Sequence, residues 1–233
     1  MKIIKTGGII TNCTSLTVTS KELTITLDTP IEFIAGSFVN IFMNINGITT
    51  RRAYSISSSQ RDQRTISVAV RLNPEGAMSP IFWNTNVIGT RVEVMGPLGL
   101  NTADKMTHNK IYLFAFGIGA GVVKSLADYF INTKPAEEVH IITGSRTENE
   151  IVYKEYFDHL AKKNHSVSIE YVISKPQVPT TLNTGYIQDH INGLDFNNAD
   201  IYTCGQEAAC ETLIEKIKQI NPVHSNYFVE GFH

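Results

Sequence analysis

Within seven residues, Arg52-Ala53-Tyr54-Ser55-Ile56-Ser57-Ser58 combines a guanidinium, an aromatic ring and several hydroxyls. Alternate positions of a strand share a face. The stretch therefore offers a cation for a phosphate, a flat surface for a ring and a donor for a heteroatom on one side, an arrangement that suits a flavin. Read alone, the same residues also describe an amphipathic strand with a surface arginine. A second candidate is Pro74-Glu75-Gly76-Ala77-Met78-Ser79, placed before an apparent short helix through Trp83. There, Gly76, Ala77, Met78 and Ser79 leave backbone N–H groups and one hydroxyl for a second phosphate, helped by the helix dipole. A plain turn with a serine cap accounts for that segment equally well.

Three more stretches carry chemistry-bearing types. Phe116-Gly117-Ile118-Gly119-Ala120-Gly121 follows an apolar run and opens a helical pattern. Glycines at such a turn let a backbone approach a pyrophosphate, although a tight strand-to-helix turn alone has the same signature. Tyr202-Thr203-Cys204-Gly205-Gln206 ends a strand in Cys-Gly ahead of another helix, so Cys204 is expected at the functional edge of a sheet; a buried, inert thiol is the plainer reading. The chain closes on Tyr227-Phe228-Val229-Glu230-Gly231-Phe232-His233, which by composition reads as a terminal strand docked in the core.

The elements that must position these residues fall into two kinds. Up to about residue 104 the pattern is of short strands. Alternation is plain in Leu16–Thr19 and Leu23–Leu27, with further strands expected at Phe38–Ile45, Ala53–Ser57, Thr65–Leu72 and Arg91–Met95, separated by Gly36, Asn46-Gly47 and Asn73-Pro74. Strands at that spacing suggest a small antiparallel barrel. Beyond a polar stretch ending at Asn109, Ile111–Phe116 is a continuous apolar run, as in a parallel strand buried on both faces. Val122, Val123, Leu126, Tyr129 and Phe130 then recur at helical spacing. Val139–Ile142, Tyr153–Ala161, Val167–Ile173, Ile187–Ile191, Ile201–Cys204 and Glu207–Ile220 continue the alternation of strands and helices. The expected architecture is two domains: an antiparallel β-barrel over 1–104 and a doubly wound α/β domain with a parallel sheet over 105–233, whose ligands lie at the carboxyl ends of the strands.

Composition narrows the function. A formal charge of −2 argues against nucleic acid as a partner. The charge is uneven, +3 over residues 1–105 and −5 over the rest, so a mildly basic first half could face an acidic partner. Cys13, Cys204 and Cys210 contain no CxxC pair and no run able to hold zinc or an iron–sulfur cluster, so no metal site is expected and reduced thiols in a cytoplasm fit best. Lys5 breaks the apolar character of the N-terminus, and no run approaches the ~20 apolar residues of a membrane span.

Taken together, the motifs resemble those of the ferredoxin–NADP reductase superfamily, over nearly the whole chain. The family's R-x-Y-S flavin motif matches Arg52, Tyr54 and Ser55, with Ala53 between them, and its G-x-x-S motif matches Gly76 and Ser79. The G-P-x-G that closes the family's barrel matches Gly96, Pro97 and Gly99. The nucleotide glycines fall on Gly117 and Gly119, the C-G pair on Cys204 and Gly205, and the terminal Glu-x-aromatic on Glu230 and Phe232. There are departures. Gly121 and Val122 stand where the family usually has Thr or Ala and then Pro, Gln206 replaces the Pro after Cys-Gly, Ala209 occupies a common Met position, and His233 extends past the terminal aromatic.

The resemblance implies bound FAD, with FMN the lesser alternative, and NADPH or NADH as hydride donor. It places Ser55, Cys204, Glu230 and Phe232 around the reacting edge of the flavin, and makes Arg146 and Lys175 candidate readers of a 2′-phosphate. It implies an NAD(P)H oxidoreductase exchanging electrons with a separate carrier: a ferredoxin, a flavodoxin or an oxygenase component. Two alternatives remain at this level: the electron-transfer subunit of a larger dehydrogenase, and a flavin- or nucleotide-binding regulatory module without turnover.

Overall fold

The computed structural model describes residues 1–232. The chain divides into two compact units, Met1–Asp104 and Lys105–His233.

The first unit is a curled antiparallel sheet of β1 (Ile4–Thr17), β2 (Ser20–Leu27), β3 (Phe38–Ile45), β4 (Ile48–Ser55), β5 (Thr65–Arg71) and β6 (Arg91–Leu98), in the order β4-β3-β6-β1-β2-β5. The sheet curls until the segment after β4 meets β5 through a bridge between Ile56 and Val68. Period-two alternation builds its core: Leu23, Ile25 and Leu27 of β2 are almost wholly buried, as are Ile66, Val68 and Val70 of β5, with the intervening residues facing out. A short helix, α1 (Ile81–Asn84), buries Phe82 in the same cluster.

The first strand differs from the sequence expectation. Leu16–Thr19 is not a strand of its own but the end of β1 and the turn into β2, where Thr17 pairs with Ser20. The strand itself begins at Ile4. Its signal is masked by Gly7-Gly8, residues with poor strand propensity. Gly7 also has charged neighbours across the sheet. A Cβ there would come within 2.4 Å of Asp28 Oδ2 and 2.6 Å of Arg91 Nη2, a pair joined by two hydrogen bonds of 3.1 and 2.6 Å.

The second unit is a parallel sheet of β7 (Lys110–Phe116), β8 (Glu138–Ser145), β9 (Val167–Ile173), β10 (Asn183–Thr184), β11 (Ala199–Gln206) and β12 (Asn226–Phe232), in the order β10-β9-β8-β7-β11-β12. The connecting helices are α2 (Ala120–Asn132), α3 (Lys154–Lys163) and α4 (Glu207–Gln219). Ile111 to Ala115 of β7 are all buried, as a strand covered on both faces requires. The α2 stripe of Val122, Val123, Leu126 and Phe130 is buried as its helical spacing demands. Strand order reverses at β7, which has β8 on one side and β11 on the other, and such a reversal opens a crevice at the carboxyl ends of the strands. Ile187–Asp189 forms a single 3-10 turn. The chain end is not docked core: β12 is an edge strand with partly exposed aromatics.

Among the described residues no helix is long and apolar enough to cross a membrane. His233 lies outside the described residues.

Candidate functional site

In the first unit, the Arg-x-Tyr-Ser motif occupies the last four residues of β4, an edge strand paired on one side with β3. Strand periodicity puts Arg52 and Tyr54 on one face, with Ala53 and Ser55 on the other. The Ser55 hydroxyl is therefore out of phase with the arginine and the ring, contrary to the expectation that all share one side. Arg52 is exposed and donates through Nη1 to the Arg51 carbonyl at 2.7 Å. Tyr54 is half-buried against the core cluster. Burial pushes its phenol up to about 12, against the opposing pull of the Arg52 charge, so the hydroxyl stays protonated and available as a donor. Ser55, the last residue of β4, pairs with Phe38, the first of β3. The next residue, Ile56, is fully buried and crosses to β5. Ser57 and Ser58 are committed to that crossing, the first donating to Glu22 Oε1 at 2.9 Å and the second accepting the Ser67 N–H at 3.0 Å.

The Gly76–Ser79 turn differs from its sequence reading in three ways. Gly76 does not open the helix, which begins at Ile81. The Ser79 hydroxyl is occupied, accepting the Asn73 N–H at 2.9 Å and donating to the Asn73 carbonyl at 3.1 Å. The Met78 side chain is buried in the core. What the turn leaves for an anion is backbone: among the described residues, the N–H groups of Ala77 and Met78 have no protein acceptor. Sequence reasoning missed Asn73 as the residue that fixes Ser79, though the Asn-Pro dipeptide marked a turn there. An exposed guanidinium and unpaired N–H groups are donors of the types a diphosphate requires, and a half-buried ring offers a face to a flavin.

In the second unit, the candidates gather at the carboxyl edge of the sheet. Gly117 has φ of +55°, and Gly117–Gly119 forms a 3-10 turn leading directly into α2. A Cβ on Gly119 would lie 2.1 Å from the Cys204 carbonyl oxygen and 2.9 Å from the Gly205 nitrogen. Conversely, a Cβ on Gly205, at φ of +140°, would lie 2.5 Å from the Phe116 carbonyl oxygen. The two turns flanking the strand-order reversal are thus locked backbone to backbone, and the missing side chains make room for each other. Approach to a ligand is not the first demand on Gly119.

Register brings the chain end to the same edge: Cys204 pairs with Glu230, Gly205 with Gly231 and Gln206 with Phe232. Burial raises the Cys204 thiol well above its ordinary value, with the Glu230 carboxylate and Cys210 adding to the effect, so Cys204 stands as a neutral thiol. Two strands away, the loops after β8 and β9 are joined by Ser174 N–H to the Ser145 carbonyl at 2.9 Å and Lys175 N–H to the Arg146 carbonyl at 2.8 Å. Arg146 and Lys175 are both exposed.

Residues 9–102 match the model of the oxidoreductase FAD-binding domain and residues 113–214 that of the oxidoreductase NAD-binding domain. The chain belongs to the ferredoxin–NADP reductase superfamily. Its relatives include the glycine betaine monooxygenase reductase subunit of Pseudomonas aeruginosa, 26% identical over 185 residues that make up 76% of this chain and 50% of that protein. Another member, ferredoxin–NADP reductase B of Sorangium cellulosum, is 26% identical over 68% of this chain and 65% of its own length. The chain thus spans about half the length of the first of these. The ferredoxin–NADP reductase of Neisseria gonorrhoeae, solved with FAD and NADP bound, shares the fold with a TM-score of 0.81 over 99% of both chains at 14% identity. Register sets Glu230 opposite Cys204 and Phe232 opposite Gln206, so the three residues the family resemblance groups lie along the same edge of the sheet. Ser55 belongs to the other unit.

Proposed function

We propose that this chain is a flavin-dependent NAD(P)H oxidoreductase that moves hydride between a nicotinamide nucleotide and FAD, and electrons between that flavin and a separate carrier. The observation that carries the reading is the carboxyl edge of the second unit, where Gly119 and Gly205 interlock two strand-to-helix turns and β12 sets Glu230 beside Cys204. When bound, a flavin exchanges hydride with nicotinamide and releases electrons singly, which the protein supports by orienting the two rings.

The chain's own residues then divide the work. Arg52 and the N–H groups of Ala77 and Met78 hold the diphosphate, which favours FAD over FMN. Tyr54 presents its ring to the flavin, and its protonated hydroxyl donates. Ser55 hydrogen-bonds the reacting edge. Gly117 and Gly119 carry the nucleotide pyrophosphate across the turn, Cys204 and Gly205 line the nicotinamide position, Glu230 supplies a carboxylate there, and Phe232 shields the ring face. Arg146 and Lys175 form an exposed pair of cations on adjacent loops, which supports NADPH over NADH.

The partner is a redox protein of the ferredoxin, flavodoxin or oxygenase-component type, a reading supported by relatives that are reductase or electron-transfer components of oxygenase systems. That partner and the flavin chemistry accord with a reductase working in the cytoplasm. The relatives' names, a monooxygenase reductase subunit among them, favour this reading over a regulatory module.

Absorbance spectra of the purified protein, titrated anaerobically with NADPH and with NADH, test it. Bound flavin bleached by at least one nucleotide is expected. A protein that takes up no flavin on reconstitution, or whose flavin neither nucleotide reduces, overturns it. Lys175→Ala should lower the NADPH to NADH efficiency ratio about tenfold, the worth of one charge-assisted phosphate contact. An unchanged ratio removes Lys175 from the site.

A further inference from the structure

β12 has a single neighbour, β11. Its burial pattern fixes its place only weakly, because none of its seven residues is fully buried and two are exposed. Besides its ladder with β11 and the stacking of Phe228 on Tyr202, two contacts at opposite ends bear on its position. At the start, Asn226 Nδ2 donates to Asp200 Oδ1 and to Thr107 Oγ1, each at 2.7 Å. The Asp200 carboxylate is wholly buried and also accepts the Thr107 N–H at 2.6 Å and the His108 N–H at 3.1 Å. This anchor lies at the amino edge of the sheet, away from the candidate site.

The contact at the other end is steric. A Cβ on Gly231 would lie 2.9 Å from Glu207 Cβ, 3.0 Å from Cγ and 3.1 Å from Cα. Two of those atoms are fixed to the backbone of α4, so no rotamer change relieves the clash. The helix is the rigid partner, for Cys210, Leu213, Ile214 and Ile217 bury its inner face. The edge strand must yield. Gly231 stands between Glu230, opposite Cys204, and Phe232, opposite Gln206.

We propose that close packing of Gly231 against Glu207 sets the end of β12, which makes Gly231 a positioning residue for Glu230 and Phe232. The inference rests on the oxidoreductase reading above. A side chain at 231 would lift the strand from α4 and carry its two neighbours with it. A displacement of ~1 Å at a reacting centre is enough to cost about 100-fold in rate. Because Glu230 and Phe232 move together, the response to the two nucleotides changes as well as the rate.

The test uses the full flavin-loaded chain and three variants: Gly231→Ala, Gly231→Ala with Glu207→Gly, and Asn226→Ala. Stopped-flow reduction by NADPH and by NADH is measured beside thermal melting, and amide hydrogen exchange of residues 226–232 is followed in the flavin-free protein. Gly231→Ala should slow reduction about tenfold or more, shift the NADPH to NADH ratio and speed exchange toward the end of β12. Adding Glu207→Gly should restore part of each loss. Asn226→Ala should lower the melting temperature and leave the nucleotide ratio unchanged. The proposal falls if Gly231→Ala leaves rates and exchange as they were, if the second substitution restores nothing, or if Asn226→Ala shifts the ratio equally, since any loosening of β12 would then suffice. If neither nucleotide reduces the wild-type flavin, the oxidoreductase reading fails, and the exchange measurements alone decide the packing claim.

Discussion

The two units hold their candidate residues by opposite means. In the first, β4 is mostly exposed, and its motif consists of side chains displayed on an edge strand. In the second, β11 is buried along all but its last residue, and the corresponding motif consists of side chains that are missing. Arg52 and Ser55 are additions to a sheet whose core lies elsewhere, and Tyr54 only flanks that core. Gly119 and Gly205 are conditions for the sheet's turns to meet at all. Chemistry in the first unit can therefore be removed without unfolding it, whereas in the second the site and the fold depend on the same atoms.

Substitutions that exploit this difference should separate stability from function. The largest effect is expected from Gly119→Ala. A Cβ 2.1 Å from the Cys204 carbonyl oxygen has no room, and the turn is backbone on both sides. Destabilisation of about 3 kcal/mol or more, at the upper end for overpacking, should appear in urea unfolding of the second unit. Near-wild-type stability would mean the two turns are not locked. Next comes Ser55→Ala, which should fold and retain flavin yet slow its reduction by nucleotide roughly 10- to 1000-fold, the scale for a missing donor at a reacting centre. Loss of folding instead would erase the contrast between the units. Smaller still, Arg52→Ala should keep the melting temperature and weaken flavin binding by about 1.5–3 kcal/mol, read by equilibrium titration of the flavin-free protein. Unchanged affinity would take the phosphate contact away from Arg52.

The sequence was legible where local physics dominates. Alternation at Leu23–Leu27 specified a half-buried strand, and the apolar run Ile111–Phe116 specified a strand buried on both faces, because period and continuity report which sides are covered. It misled where a residue answers to a distant partner. Gly7-Gly8 hid most of β1, since what makes that segment a strand is its pairing with β2 and β6. The Ser79 hydroxyl looked free because its partner, Asn73, binds it through backbone atoms that no side-chain pattern reveals.

By itself, then, the sequence determined the two-part architecture, the order of the motifs and the residue types available for a flavin and a nucleotide. Those properties follow from local hydrophobic period and side-chain chemistry. Only the tertiary structure decided which glycines serve the chain rather than a ligand, that Ser57 and Ser58 are committed to Glu22 and the Ser67 N–H, and that the chain end is an exposed edge strand beside Cys204. Each of those outcomes depends on register and close approach between segments far apart in sequence. No local pattern encodes such distances, because they are set by how whole strands and helices pack.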